Sequence, residues 1–358
     1  EFVDEKKAQA VEDALNADNV GGVLGKAADV ANGLRTMKAS TDFGSVFIQG
    51  LPLFFRSPKI WAKVAYDHIK SFQKSPARKA AYINQNADVA VEFIENGGIF
   101  GSADLFASLE NNGWLARMDR NYAGHLLQRF GNSFDMFLDQ GKLETYKAMR
   151  NTVLREQGPA GLADLAKYCN KMMGTIDTAR MGVNKRQRAF EQAFAMFSPR
   201  YTRAMAALTL DAFKGGLAGR EARNAMFSMM IGGYTTMQGF GNMFNQDINF
   251  NPEDGDFLKV EVGGVKVGIG GKMRTFARTA AGVLESLSES PNDFVSFRLF
   301  DADEYRKNPL LRFVRSNSSP LAGSSMNLFL GETGIGEQLP DEDNIEITPG
   351  GAKNLASA

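Results

Sequence analysis

The sequence predicts a mainly α protein: a multi-helix bundle with one small β-hairpin at about residues 257–270 and an extended C-terminal tail. Three observations predict it. Ser-Pro pairs open stretches in which apolar residues return at helical spacing. One stretch alone alternates with period two around a glycine pair. The end of the chain is acidic and punctuated by Gly and Pro, with six acidic and no basic residues from Glu332 to Glu346.

The elements follow in order. "EFVDEKKAQAVEDAL" at the start has neither a basic n-region nor an apolar h-region, so it is not a signal peptide. It reads as the interior of a helix-rich region, and residues 1–38 are expected to be a helical segment continuing from a longer polypeptide. A helical core is expected over 39–250. "SPKIWAKVAYDHIKSF" offers Ser57 as N-cap and Pro58 at the first helical position, with Ile60, Val64, Tyr66 and Ile69 behind it. Ser75 and Pro76 repeat the device and open one long helix that Gly97 and Gly98 stop. Ser198 and Pro199 are the third such start. Further helices are expected at about Leu115–Asp139, Leu143–Arg155, Ala160–Met173 and Lys185–Phe197. The segment 251–330 holds the hairpin plus helices. In it Leu258, Val260 and Val262 alternate up to Gly263-Gly264, and Val265, Val267 and Ile269 continue after it. A lone hairpin is marginal in water, so it should pack on helices or a partner. Residues 331–358 are the acidic extended tail.

Composition narrows the function. Hydrophobic residues make up 44% of 358, enough for a real core. The 41 basic and 41 acidic residues balance, which argues against a whole-chain nucleic-acid binder. The single Cys169 leaves no internal disulfide, and two histidines are too few for a structural zinc site. Neither a metal nor a cofactor is expected.

Candidate chemistry is sparse. "GIGG" at Gly268–Gly271 resembles part of a phosphate cradle, but Met273 stands where G-x-G-x-x-G needs its last glycine. A hairpin-to-helix connection is the preferred reading. His68 and His125 are possible general bases, with no nucleophile in a recognisable motif beside either. Asp104, Glu110 and Asp119 would pair only if the fold brings them together. Cys169 in "AKYCNKMMG" reads as a buried small hydrophobe. No catalytic residue is assigned, and the chain is expected not to be an enzyme.

Two stretches are candidates for contact. From Asn224 to Gln246 there is no charge, directly behind Arg220 and Arg223, and the length approaches a bilayer span. Ala225, Ile231, Gly232, Gly233, Met237, Gly239, Phe240 and Phe244 mark it as a membrane or packing segment, its glycines favouring close helix approach. A membrane-entering helix and a helix buried in a protein core remain as alternatives. The second stretch is basic: Arg56–Lys79 carries seven basic residues against Asp67 alone. Phe54, Phe55, Arg56, Lys59, Trp61 and Lys63 are its candidate interface.

The order of segments resembles the helical domain of very large bacteriophage and mobile-element proteins, the large polyvalent protein group. The resemblance is carried by "STDFGSVFIQGLPLFFRSPKIW" (Ser40–Trp61), "FEQAFAMFSPRYTRAMAALTLDAFKGGLAGREARNAM" (Phe190–Met226), "FNPEDGDFLKVEVGGVKVGIGGKMRTFARTAAGVL" and "NPLLRFVRSNSSPLAGSSMNLFLGETGIGE". It covers about Ser40 to Gly336, and departs at Asn317-Ser318, where a basic residue and Leu are usual before Ser-Pro. It implies a structural internal virion (ejection) protein that assembles with itself or with portal, tail or other ejection proteins and helps the genome cross the host envelope. Location in the virion, then in the host envelope or cytoplasm, follows, with a host membrane and, more weakly, nucleic acid as further contacts. The alternative it implies is a non-catalytic scaffold domain of a giant phage polyprotein. Its enzyme, a virion RNA polymerase, transglycosylase or anti-restriction enzyme, would then lie elsewhere. It carries no active-site residue onto this chain.

Overall fold

The computed structural model describes residues 45–71, 75–101, 126–178, 181–182, 191, 198–251, 254–262, 264–268, 272–289, 308–318, 322–324 and 326–327. The expected N-terminal helical segment 1–38, the helix at Lys185–Phe197 apart from Glu191, and the tail 331–358 lie outside these residues. So do His125, Asp104, Glu110 and Asp119.

The chain is mainly helical. After a π-helical turn at Ser45–Gln49 come α1 (Leu51–Arg56), α2 (Pro58–Ser71), α3 (Ser75–Gln85) and α4 (Ala87–Glu95). Then follow α5 (Leu126–Gln157), α6 (Ala160–Met172), α7 (Pro199–Asp211) and α8 (Gly216–Phe244). The hairpin β1 (Lys259–Val262) and β2 (Val265–Gly268) precedes α9 (Lys272–Glu289) and α10 (Pro309–Asn317).

The three Ser-Pro pairs do open helices, but through proline rather than serine at Ser198. That side chain makes no cap hydrogen bond, while its carbonyl accepts from the Thr202 N–H at 3.0 Å. Proline at the first position has the right φ and no donor to waste.

The expected break between Leu115–Asp139 and Leu143–Arg155 is absent: α5 runs unbroken for 32 residues. Gly141, which falls between the two expected helices, serves packing. A Cβ there would lie 2.6 Å from Met173 Cε and 3.3 Å from Leu53 Cδ2, so glycine lets neighbouring chains approach. Conversely, the single long helix expected after Ser75 breaks at Asn86 (φ −121°, ψ 29°). Its side-chain amide donates to Tyr82 O at 2.7 Å and accepts from Lys147 Nζ at 2.8 Å. Asparagine competes with the helical ladder in this way, and the bend lays both α3 and α4 against α5. The stop after α4 is as expected: Gly97 takes φ +90°, and the Gly98 N–H bonds Phe93 O at 2.7 Å.

α5 is the hub. α2, α3, α4 and α6 pack around it, and Phe93, Phe137, Leu143, Tyr146, Leu165 and Met172 fill the space between. The hairpin pairs Val262 with Val265, leaving a two-residue turn in which Gly264 has φ +81°. It packs on α8, with Val260 and Leu258 against Met237 and Ile248. Arg274 of α9 donates to Phe257 O at 2.7 Å and Gly255 O at 2.5 Å, tying helix to hairpin. α10 packs on α9 and is capped by Asn308, whose Oδ1 accepts from Leu310 N at 2.9 Å.

Candidate functional site

α8 repays attention because its sequence is the least charged. Its buried positions Leu217, Glu221, Ala225, Met229, Gly233, Met237 and Gly241 recur every fourth residue. Such a ridge winds slowly around the helix and suits a neighbour crossing at an angle. α1, α6 and α7 are those neighbours along the first half. Near the crossing with α1, a Cβ on Gly232 would sit 2.2 Å from Phe55 Cδ1. Gly239 faces open space. Ala225 belongs to the main core, while Gly233 and Met237 are buried farther along, so these candidates serve packing.

Arg220 and Arg223 are spent at the α7–α8 corner. Arg223 Nη1 donates to Ala212 O at 2.8 Å and Lys214 O at 2.9 Å, satisfying carbonyls at the end of α7. Arg220 pairs with Glu156 at 2.9 Å and Glu221 at 3.1 Å. Glu221, itself buried, also receives Arg56 of α1 at 2.9 Å. Burial alone would lower the Arg56 pKa, but Glu221 holds it above the ordinary value. Below the corner, burial pulls Asp211 upward, yet Lys171 and Lys214 (2.7 Å) keep it under the usual carboxylate range.

The remaining face of α8 is apolar and open. Phe227, Met230, Ile231 and Tyr234 are exposed along it, and the Phe250 ring lies 4.6 Å from that of Tyr234. Phe240, Met243 and Phe244 are exposed on the last turns. No helix among the described residues is long and apolar enough to cross a membrane.

Most of the candidates in the basic stretch have partners within the chain, though none is buried. Trp61 Nε1 donates to Val46 O at 3.2 Å, and the Phe54 ring contacts Phe55 and Trp61, each at 4.9 Å. Lys63 pairs with Glu144 at 2.9 Å, and Lys79 with Asp139 at 2.7 Å. Lys59 is exposed.

His68 is buried, its Nδ1 donating to Ser133 O at 2.8 Å. Burial lowers its pKa. Cys169 is fully buried, and burial pushes its thiol pKa up.

A charged array that the sequence reading missed lies at mid-α5. Asp139 accepts from Gly101 N at 3.0 Å, from Lys79 and from Lys142 at 3.1 Å. Lys142 also donates to Ile99 O at 2.8 Å, and Asn170 holds Gly97 O at 2.9 Å and Ile99 N at 3.0 Å. Burial lowers the Lys142 pKa. These groups satisfy one another and fasten residues 97–101 over α5 and α6. The Asp139-x-x-Lys142 spacing was the visible signal; nothing in it announces burial. Among the described residues no three His, Cys, Asp or Glu side chains gather as for a metal ion.

Comparison of the chain with family models, curated proteins and solved structures gives no match, so the likeness to the polyvalent group rests on the four quoted segments.

Proposed function

We propose that the chain is a structural, non-catalytic segment of a bacteriophage internal virion (ejection) protein. It assembles with itself or with portal, tail or other ejection proteins, and assists genome delivery across the host envelope. The observation that carries the reading is the open apolar face of α8, from Phe227 to Tyr234, on a helix whose base is clamped by Arg56–Glu221 and the Arg223 contacts. Large contiguous apolar patches on a soluble surface mark interaction sites. A rigid helix presenting one loses little entropy on docking. The segment resemblance supplies the setting.

Peptide mass spectrometry of purified particles encoding the chain, intact and after ejection, tests this. The chain should be present at fixed copy number in intact particles and depleted from emptied ones. Its absence from intact particles would overturn the reading. Cryo-electron microscopy of the same two states should place ordered copies on the portal–tail axis beforehand.

A further inference from the structure

We propose that the exposed face of α2 is a binding surface for single-stranded nucleic acid, with Lys59, Lys63, Lys70 and Arg129 on its phosphates and Tyr66 beneath a base. The site goes beyond the assembly reading and does not depend on it.

The sequence puts cations on one side of this helix. Lys59, Lys63, Tyr66 and Lys70 recur at spacings of four, three and four, so they share a face, and all four are exposed. The other face buries Val64, Ala65 and His68. α2 runs antiparallel to α5, since Lys63 pairs with Glu144 while His68 reaches Ser133. Arg129, exposed and one turn before Ser133, therefore stands at the Lys70 end.

The charges here do not cancel at the surface. Among the described residues Lys59 and Arg129 make no hydrogen bond or ion pair, and Lys70 has only the Tyr66 ring, whose centroid is 5.5 Å from its Nζ. Lys63 does have a partner, yet its side chain is 54% exposed against 13% for the Glu144 carboxylate. No acidic residue of α2 or α3, or of α5 as far as Glu144, is exposed. Asp67 accepts from Gln140 at 2.7 Å, and Asp139 lies between Lys79 and Lys142. Carboxylates sit in the packing layer and cations outside it, so a ligand approaching α2 meets one sign. The neutral total for the chain conceals this local excess.

The spacing selects the ligand. Along the helix axis Lys59, Lys63 and Lys70 are separated by about 6 and 10 Å, too far to converge on one free phosphate. A row of this kind suits a repeating anion. Tyr66, 62% exposed in the middle of the row, offers the aromatic plane on which an unpaired base stacks. Lysine is a point charge that reads no base edge, so the contact is indifferent to sequence. A lipid surface fits less well. An interfacial helix buries an apolar face in the bilayer, and that of α2 is already packed within the protein.

Fluorescence anisotropy of a labelled ~20-nucleotide oligothymidylate, titrated with the full 358-residue chain over a NaCl series, is the test. Binding is expected, with log K falling against log [NaCl] at a slope of about −2 to −3, the value for three or four phosphates of a single strand. Lys59→Ala and Lys70→Ala should each weaken it and take about 0.7 off the slope. Tyr66→Ala should weaken it about fivefold or more and leave the slope unchanged. Lys167→Ala, on an exposed lysine of α6, should do neither. All four side chains are exposed, so urea midpoints should not move. Absence of binding at about 50 mM NaCl overturns the proposal. So does binding indifferent to the α2 lysine variants, or a duplex bound as tightly as the single strand. Displacement of the oligonucleotide by polyglutamate at equal charge also overturns it and makes an acidic protein segment the occupant. Flotation with anionic phosphatidylserine–phosphatidylcholine vesicles that the oligonucleotide does not displace overturns it in favour of lipid. Oligonucleotide binding by a chain missing from virions overturns the virion reading and leaves this inference standing; a virion component that binds none does the reverse.

Discussion

At the middle of α5, Asp139 and Lys142 are 2% and 0% exposed; on α8, Phe227 and Met230 are 65% and 63% exposed. Burial here does not follow polarity. It follows whether the neighbours surround a helix or leave one of its faces open. α5 is surrounded by α2, α3, α4 and α6, so even its charges are enclosed and must answer one another. α8 meets α1, α6 and α7 on one side and the hairpin near its end, so a face of apolar side chains stays open. The first region fixes the fold, and the second is free to meet something else.

The sharpest way to break this comparison is at Lys142. Lys142→Ala leaves Ile99 O without its donor and Asp139 with one cation fewer. Removing one member of a buried pair typically costs about 3–5 kcal/mol, to be read by urea denaturation. A loss below about 1 kcal/mol would mean the array is hydrated like a surface pair. Next in size is Gly232→Val. A Cβ at this position already sits 2.2 Å from Phe55, so overpacking should cost about 1–3 kcal/mol by separating α1 from α8. Phe55→Ala in the same chain should recover part of it. A double variant no more stable than Gly232→Val alone would place the strain elsewhere.

What was legible in the sequence was local chemistry. The Ser-Pro starts, the Gly97-Gly98 stop and the glycine turn act within a few residues, and each appears where expected. What was not legible depended on distant partners. Gly141 looks like a break until Met173 and Leu53 are seen against it. Asn86 looks helical until Lys147 holds its side chain. The stripe that α8 buries contains Glu221, Gly233 and Gly241, while its open face holds Phe227, Met230 and Tyr234. Hydrophobic periodicity would choose the wrong face. The uncharged run was visible; which side of it packs was not.

A pH titration separates the buried interior from the rest. His68 sits between α2 and α5, its pKa lowered by burial from the ordinary 6.5, against a smaller opposing effect of the Ser133 hydrogen bond. The fold therefore holds the neutral ring, and the unfolded chain binds more protons as pH falls below about 6.5. Stability should decline in that range. Glu92, whose pKa Arg150 lowers, adds its loss only as pH falls below its ordinary 4.5. Between those values the slope belongs to histidine. His68→Gln should flatten it in denaturation curves taken at a pH series. An unchanged slope would assign it to another group.

The smallest expected effect on stability is the most informative about function. Phe227 is 65% exposed and stands outside both apolar clusters. Phe227→Ser should therefore shift the monomer's stability by no more than about 0.5 kcal/mol, measured at concentrations too low for self-association. The same change should weaken association through the α8 face, because that phenylalanine is part of its open apolar surface. Lys142→Ala should show the opposite profile: a large loss of monomer stability, with the α8 face unchanged on the molecules that remain folded. Equal effects of the two substitutions on both measurements would mean that the core around α5 and the face of α8 form one cooperative unit. Opposite effects would show a rigid frame built around enclosed charges and a separate apolar face held out for a partner.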